Sequence, residues 1–493
     1  MNLTAFQAQP QAAPHPPLHF GPIAPELILV GAAIAMLLLD ALVRLRDQRP
    51  LVFLSLAGLF GAAAASIALW FWDGPPVVLG NMVAADKFAV FLRLVLLAVA
   101  AIAVLLSYHY LERSDEARGE YYPLLLFCTA GMTLIVSAAD LVVIFLALEI
   151  LSLSLYLMTG FSFRRLASAE ASMKYFLLGA FSSAFFLYGI ALAYGATGTT
   201  NLSAIAGRLS QEASLALALG AAGLMATGFG FKVAAVPFHM WTPDAYQGAP
   251  TCVTAFMSAA TKVAAFGAFL RVFNVAFQPL SADWTPFVWV IAAVTMVLGS
   301  LLAIAQTDVK RMLAYSSIAH AGFILVGVTA ANQTGIEGAM FYLVAYAAMI
   351  IGAFGVVVLV SIRGEDHLAL SSYAGLVRRS PFLAVMLALF LLSLAGIPGT
   401  AGFIAKVAVF SAATQAGHWP LVLIAVIASV IAAFFYIRLI ALMYMQDPTE
   451  TPPIERAPVA QLAVAVPAVL TVLFGVLPAL VFGFLRSASV VRF

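Results

Sequence analysis

Charge is scarce in this chain of 493 residues: Asp, Glu, Lys and Arg make up 9%, against 63% hydrophobic residues. A soluble domain carries about 25% charged residues. The apolar runs also repeatedly reach the ~20 residues that cross a bilayer, so a water-soluble globule is excluded and an all-α polytopic membrane protein is expected. Cysteine is nearly absent as well. Cys128 and Cys252 lie far apart in apolar surroundings, which leaves neither a disulfide framework nor the ligand spacing of an iron–sulfur or zinc site. No G-x-G-x-x-G or P-loop occurs, so redox or nucleotide chemistry would have to reside in partner chains. A formal net charge of +2 gives no sign of nucleic acid as a partner. The opening residues, to Glu26, lack the basic region and compact apolar core of a signal peptide and read as a flexible polar tail.

Apolar runs bounded by charged or Pro/Gly-rich breaks predict about fourteen membrane helices. They lie near 25–43, 51–72, 88–109, 121–138, 141–163, 170–195, 214–236, 251–275, 284–306, 310–330, 337–362, 381–415, 419–446 and 457–486. The loops after helices 1, 3, 5, 9, 11 and 13 hold most of the Lys and Arg, among them Arg44, Arg46, Arg113, Arg164, Lys310, Arg363, Arg378 and Arg456. The opposite side has Lys87, Arg208, Arg271 and, in the tail, Arg486 and Arg492. By the excess of positive charge in cytoplasmic loops, both termini are expected outside the cytoplasm. Arg93 and Arg438 fall a few turns from helix ends, where a long side chain is expected to reach the interface.

The chain has six lysines, and four of them, Lys174, Lys232, Lys262 and Lys406, fall inside apolar helices. A charge near the bilayer centre costs at least ~2.5–3.5 kcal/mol, so it persists chiefly where it faces protein interior, a partner or water. Glu149 lies nine residues after Asp140, which reads as a helix start; at ~1.5 Å per residue its carboxylate reaches about the middle of the hydrocarbon core. Moving a proton on or off a lysine beside that carboxylate would change the carboxylate's own proton affinity, the coupling a relay needs. Lys232 precedes "AAVPFHMWTP" and Lys406 follows "SLAGIPGTAGF". Pro237 and the Gly396, Pro398, Gly399, Gly402 group are expected to interrupt helices 7 and 12, and two interrupted helices in corresponding halves point to inverted repeats with ion sites at mid-membrane.

Other residues keep two readings. Lys174 stands four residues after Glu170, as a helix-surface pair or as a proton entry. His320, near Ser316 and Ser317, is either a hydrogen-bonded core residue or a proton shuttle. His239 and Asp244 fit loop anchors or proton entry, and their spacing does not suit a metal.

The segments "FLALEILSLSLYLMTGF", "AEASMKYFLLGAFSSAFFLYG", "GFKVAAVPFHMWTPDAYQGAP", "TDVKRMLAYSSIAHAGF" and "LAGIPGTAGFIAKV" resemble the antiporter-like membrane subunits of respiratory NADH:quinone oxidoreductase (complex I) from about Tyr121 to Tyr444. The turn Trp241-Thr242-Pro243-Asp244-Ala245-Tyr246 is similar to the subunit N branch; subunits L and M usually read W-L-P-D-A-H. The resemblance implies fourteen helices in four parts: 1–120 with the tail and helices 1–3, one five-helix repeat at 121–275, a second, inverted, at 284–446, and helix 14 in 447–493. It implies that Glu149, Lys232, Lys262, His320 and Lys406 form a proton relay, for which Lys174 is the candidate entry on its own reading above. FMN, iron–sulfur clusters and quinone are expected in partner subunits, and the neighbours are expected to be subunit M, the small subunits K and J, and membrane lipids. Cys252 departs from the family, where proline commonly follows "GAPT". A subunit of a multi-subunit Na+/H+ antiporter or membrane-bound hydrogenase, a structural spacer and a quinone-binding role stand as alternatives.

Overall fold

The computed structural model describes residues 19–43, 47–114, 116–211, 214–361, 367–448, 454 and 457–491. The tail to residue 18 and Arg44, Arg46, Arg363, Arg456 and Arg492 lie outside them. Along the described residues, helices run as α1 (Ala24–Val43), α2 (Arg49–Leu69), α3 (Lys87–Arg113), α4 (Tyr121–Ser137), α5 (Leu141–Thr159), α6 (Leu166–Thr197), α7 (Leu202–Leu209), α8 (Leu215–Val233), α9 (Trp241–Gly248) and α10 (Thr251–Arg271). They continue as α11 (Ser281–Ile304), α12 (Val309–Thr329), α13 (Gln333–Val360), α14 (Leu376–Arg379), α15 (Pro381–Ala395), α16 (Ala401–Gln415), α17 (Trp419–Met445), α18 (Pro458–Val476) and α19 (Ala479–Ala488). A two-stranded hairpin, β1 (Val77–Val78) against β2 (Val83–Ala84), is the one sheet among these residues.

Several starts follow from single polar residues before apolar runs. Asp86, Asp140, Asn201, Asp308 and Asn332 each accept a hydrogen bond from a backbone N–H in the first turn of α3, α5, α7, α12 and α13, which satisfies donors that the helix itself cannot. Among the described residues, twelve helical stretches are long and apolar enough to cross a membrane. Every expected span falls on a helix or on two consecutive helices. The span 457–486 divides at Leu477 and Pro478 into α18 and α19, while α7 and the hairpin carry too few apolar residues to have been counted.

α10, α12 and α13 are enclosed along nearly their whole length and form the centre, whereas α1, α6, α17 and α18 keep an apolar face outward. Close approach in this centre depends on glycine. A Cβ on Gly299 of α11 would meet the Ala319 nitrogen at 2.6 Å, and one on Gly322 of α12 the Met296 nitrogen at 2.7 Å. Small residues let membrane helices touch backbone to backbone. Gly322→Val is therefore expected to force α11 from α12 and cost about 1–3 kcal/mol, read as earlier thermal unfolding of the purified assembly; an unchanged midpoint would contradict this packing.

Three basic residues, Arg93, Arg271 and Lys310, correct the charge reading, and Arg438 gains specific partners. Arg93 does not reach the interface: it is fully buried, with Nε and Nη2 on Glu26 and Nη2 also on the Pro22 carbonyl and Ser137 Oγ. Its position along α3 suits snorkelling, but its face turns inward onto α1 and α4. Arg438 donates to the Ile304 and Gln306 carbonyls and so caps α11. Arg271 and Lys310, expected in loops, are both buried, Arg271 on Asp86 at 2.8 Å and Lys310 on the Ala249 carbonyl at 2.6 Å.

Candidate functional site

The first charged group builds up from α5, α6 and α8. Glu149 is half-buried on α5, and Ser183 of α6 donates to its Oε1 at 2.5 Å. Ser183 and Lys232 line one crevice with Gly179 and Gly228, too narrow to hold water. Glu149 and Lys232 interact electrostatically without a direct ion pair among the described contacts. Lys232 Nζ donates to the Tyr175 hydroxyl at 3.3 Å and lies 5.2 and 5.6 Å from the ring centres of Tyr175 and Tyr156. Two rings around a buried ammonium supply attraction where no carboxylate is in contact. Gly179 makes room for this cage, since a Cβ there would fall 1.9 Å from the Tyr156 hydroxyl.

The turn after Lys232 has a definite job. α8 stops at Val233 because Ala234 takes a left-handed conformation, φ +60°, and the chain returns through a cis Val236–Pro237 bond to α9. Trp241 folds back over the break. Its ring stacks on Tyr175 at 4.4 Å, and its Nε1–H satisfies the Phe231 carbonyl at 2.9 Å. The Val236 N–H finds Thr295 at 3.0 Å. The Val233 carbonyl, freed from the helix ladder, accepts from Lys262 Nζ of α10. Lys262 is 1% exposed, so this bond is its means of remaining in the interior.

His320, on α12, holds Tyr342 with Nδ1 at 2.8 Å and Tyr436 with Nε2 at 3.2 Å. Tyr436 also bonds Ser316, and the Tyr346 ring lies 5.3 Å from the imidazole. The histidine is within electrostatic reach of both Lys262 and Lys406. Lys406, on α16, donates to the Ala395 carbonyl at 2.8 Å and lies 4.7 Å from the Phe323 ring. That carbonyl is free because α15 ends there on Gly396, φ +90°. A Cβ on Gly396 would press on the lysine stem at 3.0 Å, so glycine is required twice over. Both breaks thus offer a carbonyl to a buried lysine. Lys232 lies before its break and Lys406 after its own, so the lysine holding the first break's carbonyl is Lys262.

Lys174 stands apart from this row. It is 46% exposed, paired with Glu170 at 2.7 Å and Asp244 at 2.9 Å, and Asp244 also receives Arg311 at 2.7 Å. Glu170, Lys174, Asp244 and Asp308 line an open cavity of about 270 Å³. Burial pushes the Asp308 carboxyl up, against the backbone N–H of Arg311 and the charge of Lys310. Asp244 is therefore an anchor between α6, α9 and α12, as one of its two readings had it. Sequence reasoning passed over Tyr156, Tyr175, Tyr342, Tyr436 and Trp241, together with the two freed carbonyls. The available signal was tyrosine one or two turns from a charge, as Tyr156 stands seven residues after Glu149. Among the described residues no cluster of His, Cys, Asp or Glu suits a metal ion. Cys252, the family departure, is a buried thiol receiving the Tyr121 hydroxyl at 3.5 Å, and α10 begins regularly at Thr251.

The family described as "NADH:quinone oxidoreductase/Mrp antiporter, TM" matches residues 138–432. NADH-quinone oxidoreductase subunit N of Trichlorobacter lovleyi is 46% identical over 471 residues, covering 94% of this chain and 96% of that protein. The subunit N of Chloroflexus aggregans is 43% identical, covering 97% and 98%. A chain of respiratory complex I from Thermus thermophilus with bound aureothin superposes with a TM-score of 0.79 at 36% identity, covering 93% of this chain and 98% of that one. The chain belongs to the NADH:quinone oxidoreductase/Mrp antiporter family and, within it, to the antiporter-like subunit N of NADH-quinone oxidoreductases.

Proposed function

We propose that this chain carries protons across a bacterial plasma membrane through the row Glu149, Lys232, Lys262, His320 and Lys406, driven by quinone reduction elsewhere in an NADH:quinone oxidoreductase. The carrying observation is the matched pair of helix breaks whose freed carbonyls, Val233 and Ala395, each hold a buried lysine, with His320 in electrostatic reach of both lysines. Two such breaks support inverted repeats at 121–275 and 284–446. Lys232 exchanges its proton while the neighbouring subunit modulates its attraction to Glu149. His320, held between two tyrosine hydroxyls, passes the proton on, and Lys406 delivers it outside. Lys174 and Asp244 stand at the entry cavity. In this reading subunits M, K and J are the neighbours, FMN, iron–sulfur clusters and quinone reside in partners, and both termini face outward.

Glu149→Gln tests the coupling. It keeps the volume and an acceptor for Ser183 while removing the charge that Lys232 senses. Protons released per NADH oxidised, measured in vesicles holding wild-type amounts of the assembled enzyme, are expected to fall together with a coupled turnover about a hundredfold slower, the low end of the roughly 10²–10⁴ that a lost proton-transfer partner costs. Wild-type stoichiometry and rate would reject the route.

A further inference from the structure

A cavity outside the proton row lies between α2, α3, α13, α18 and α19. It encloses about 520 Å³ and is walled almost wholly by apolar side chains, including Trp70, Phe91, Val95, Pro467 and Phe484. That volume is in the range of ligand pockets, about 300–1,000 Å³. Its wall on α3 runs from Phe91 to Ile102, about 17 Å at ~1.5 Å per residue, or roughly half of the ~30 Å hydrocarbon core. The crevice is one leaflet deep.

Its mouth carries a charge. Lys87, the first residue of α3, stands one turn before Phe91 on the same face, exposed, with Nζ 5.4 Å from the ring centre of Trp70. Trp70 forms part of the crevice wall and meets Phe484 edge-on at 5.8 Å. Tryptophan and lysine at this depth mark the level of the lipid headgroups. No carboxylate pairs with Lys87 in the described contacts, while the nearest acidic residue in sequence, Asp86, is committed to Arg271. An apolar slot of acyl-chain depth beneath an ammonium uncompensated by a carboxylate is complementary to an amphiphile with one negative head and a hydrocarbon tail.

We propose that this crevice binds an anionic diacyl phospholipid, one acyl chain between α3 and α18 and the phosphate on Lys87. Basic residues at crevices between membrane helices recognise anionic headgroups in this way.

The test uses the assembled enzyme in phosphatidylcholine vesicles containing a small fraction of phosphatidylglycerol with a photoreactive acyl chain, followed by peptide mapping of the crosslinks. Labelling is expected on the α3 segment around Phe91 and on α18 around Leu470. Lys87→Ala should lower it about fivefold, the worth of one basic residue near anionic lipid, while Lys87→Arg keeps it. Ala98→Phe, which fills the wall, should abolish labelling with Lys87 intact. Equal labelling by a photoreactive phosphatidylcholine, preferential labelling by a photoreactive quinone tail, or protection of these peptides by a neighbouring subunit would each overturn the proposal. None of these readouts depends on proton pumping, so failure here leaves the relay untouched, and failure of the relay leaves the lipid site untouched.

Discussion

Lys262→Met should stop proton release through this chain and lower coupled NADH:quinone turnover by about a hundredfold or more, the modest end of what losing a positioned acid or base costs. The reason lies in where Lys262 stands. Its Nζ rests on the carbonyl of Val233, the residue next to Lys232, and His320 senses its charge from the other side, so it joins the first break to the histidine and its tyrosines. Methionine preserves the length and removes every transferable proton. It also leaves the Val233 carbonyl without its donor, a penalty of about 1–3 kcal/mol, which a structural role alone would express as reduced assembly. Lys262→Gln separates the two roles by restoring a donor without a titratable group. If Lys262→Gln assembles normally, oxidises NADH with a water-soluble acceptor at the wild-type rate, and still fails to pump, the relay role stands. Pumping at wild-type stoichiometry in either variant would remove Lys262 from the route.

The charged members of this row were legible in the sequence because burial of a charge is costly. In a chain with six lysines, an ammonium inside an apolar run announces itself. The helix breaks were legible for a similar reason, since proline and clustered glycine cannot continue a regular helix. What receives the lysines was not. A carbonyl has no signature in sequence; Val233 and Ala395 matter through the left-handed residues that follow them, one of which is an alanine. Nor do the tyrosines announce themselves, because an aromatic ring in an apolar helix satisfies packing equally well with or without a nearby ammonium. Arg93 shows the converse limit. Its distance from the helix end suits an interfacial side chain, and only the direction of its face, set by packing against α1 and α4, makes it an inner ion pair with Glu26. Depth along a helix is written in the sequence more plainly than rotation about its axis.

Rotation of α10 about its own axis is fixed by the other buried guanidinium, and there the effect on stability should be large. Arg271 ends α10 nine residues beyond Lys262, about 14 Å along the helix. Its Nη1 and Nη2 grip the two oxygens of Asp86 at 2.8 and 2.9 Å, while Nε and Nη2 reach the Val136 carbonyl at 3.1 and 2.9 Å. One side chain thereby ties α10 to the start of α3 and the end of α4. Arg271→Ala strands a nearly buried carboxylate and a carbonyl, at a cost of about 3–5 kcal/mol, seen as a much lower unfolding midpoint of the purified assembly. Arg271→Met combined with Asp86→Asn should recover most of that loss, because it removes both charges and retains an oxygen to cap Ala89 at the head of α3. The recovery distinguishes an ion pair from simple filling of space: if the double variant is as unstable as the sum of its singles, the two residues are not coupled. Before heating, Arg271→Ala membranes should keep most of their turnover, since the arginine orients the helix that bears Lys262 without standing in the proton row.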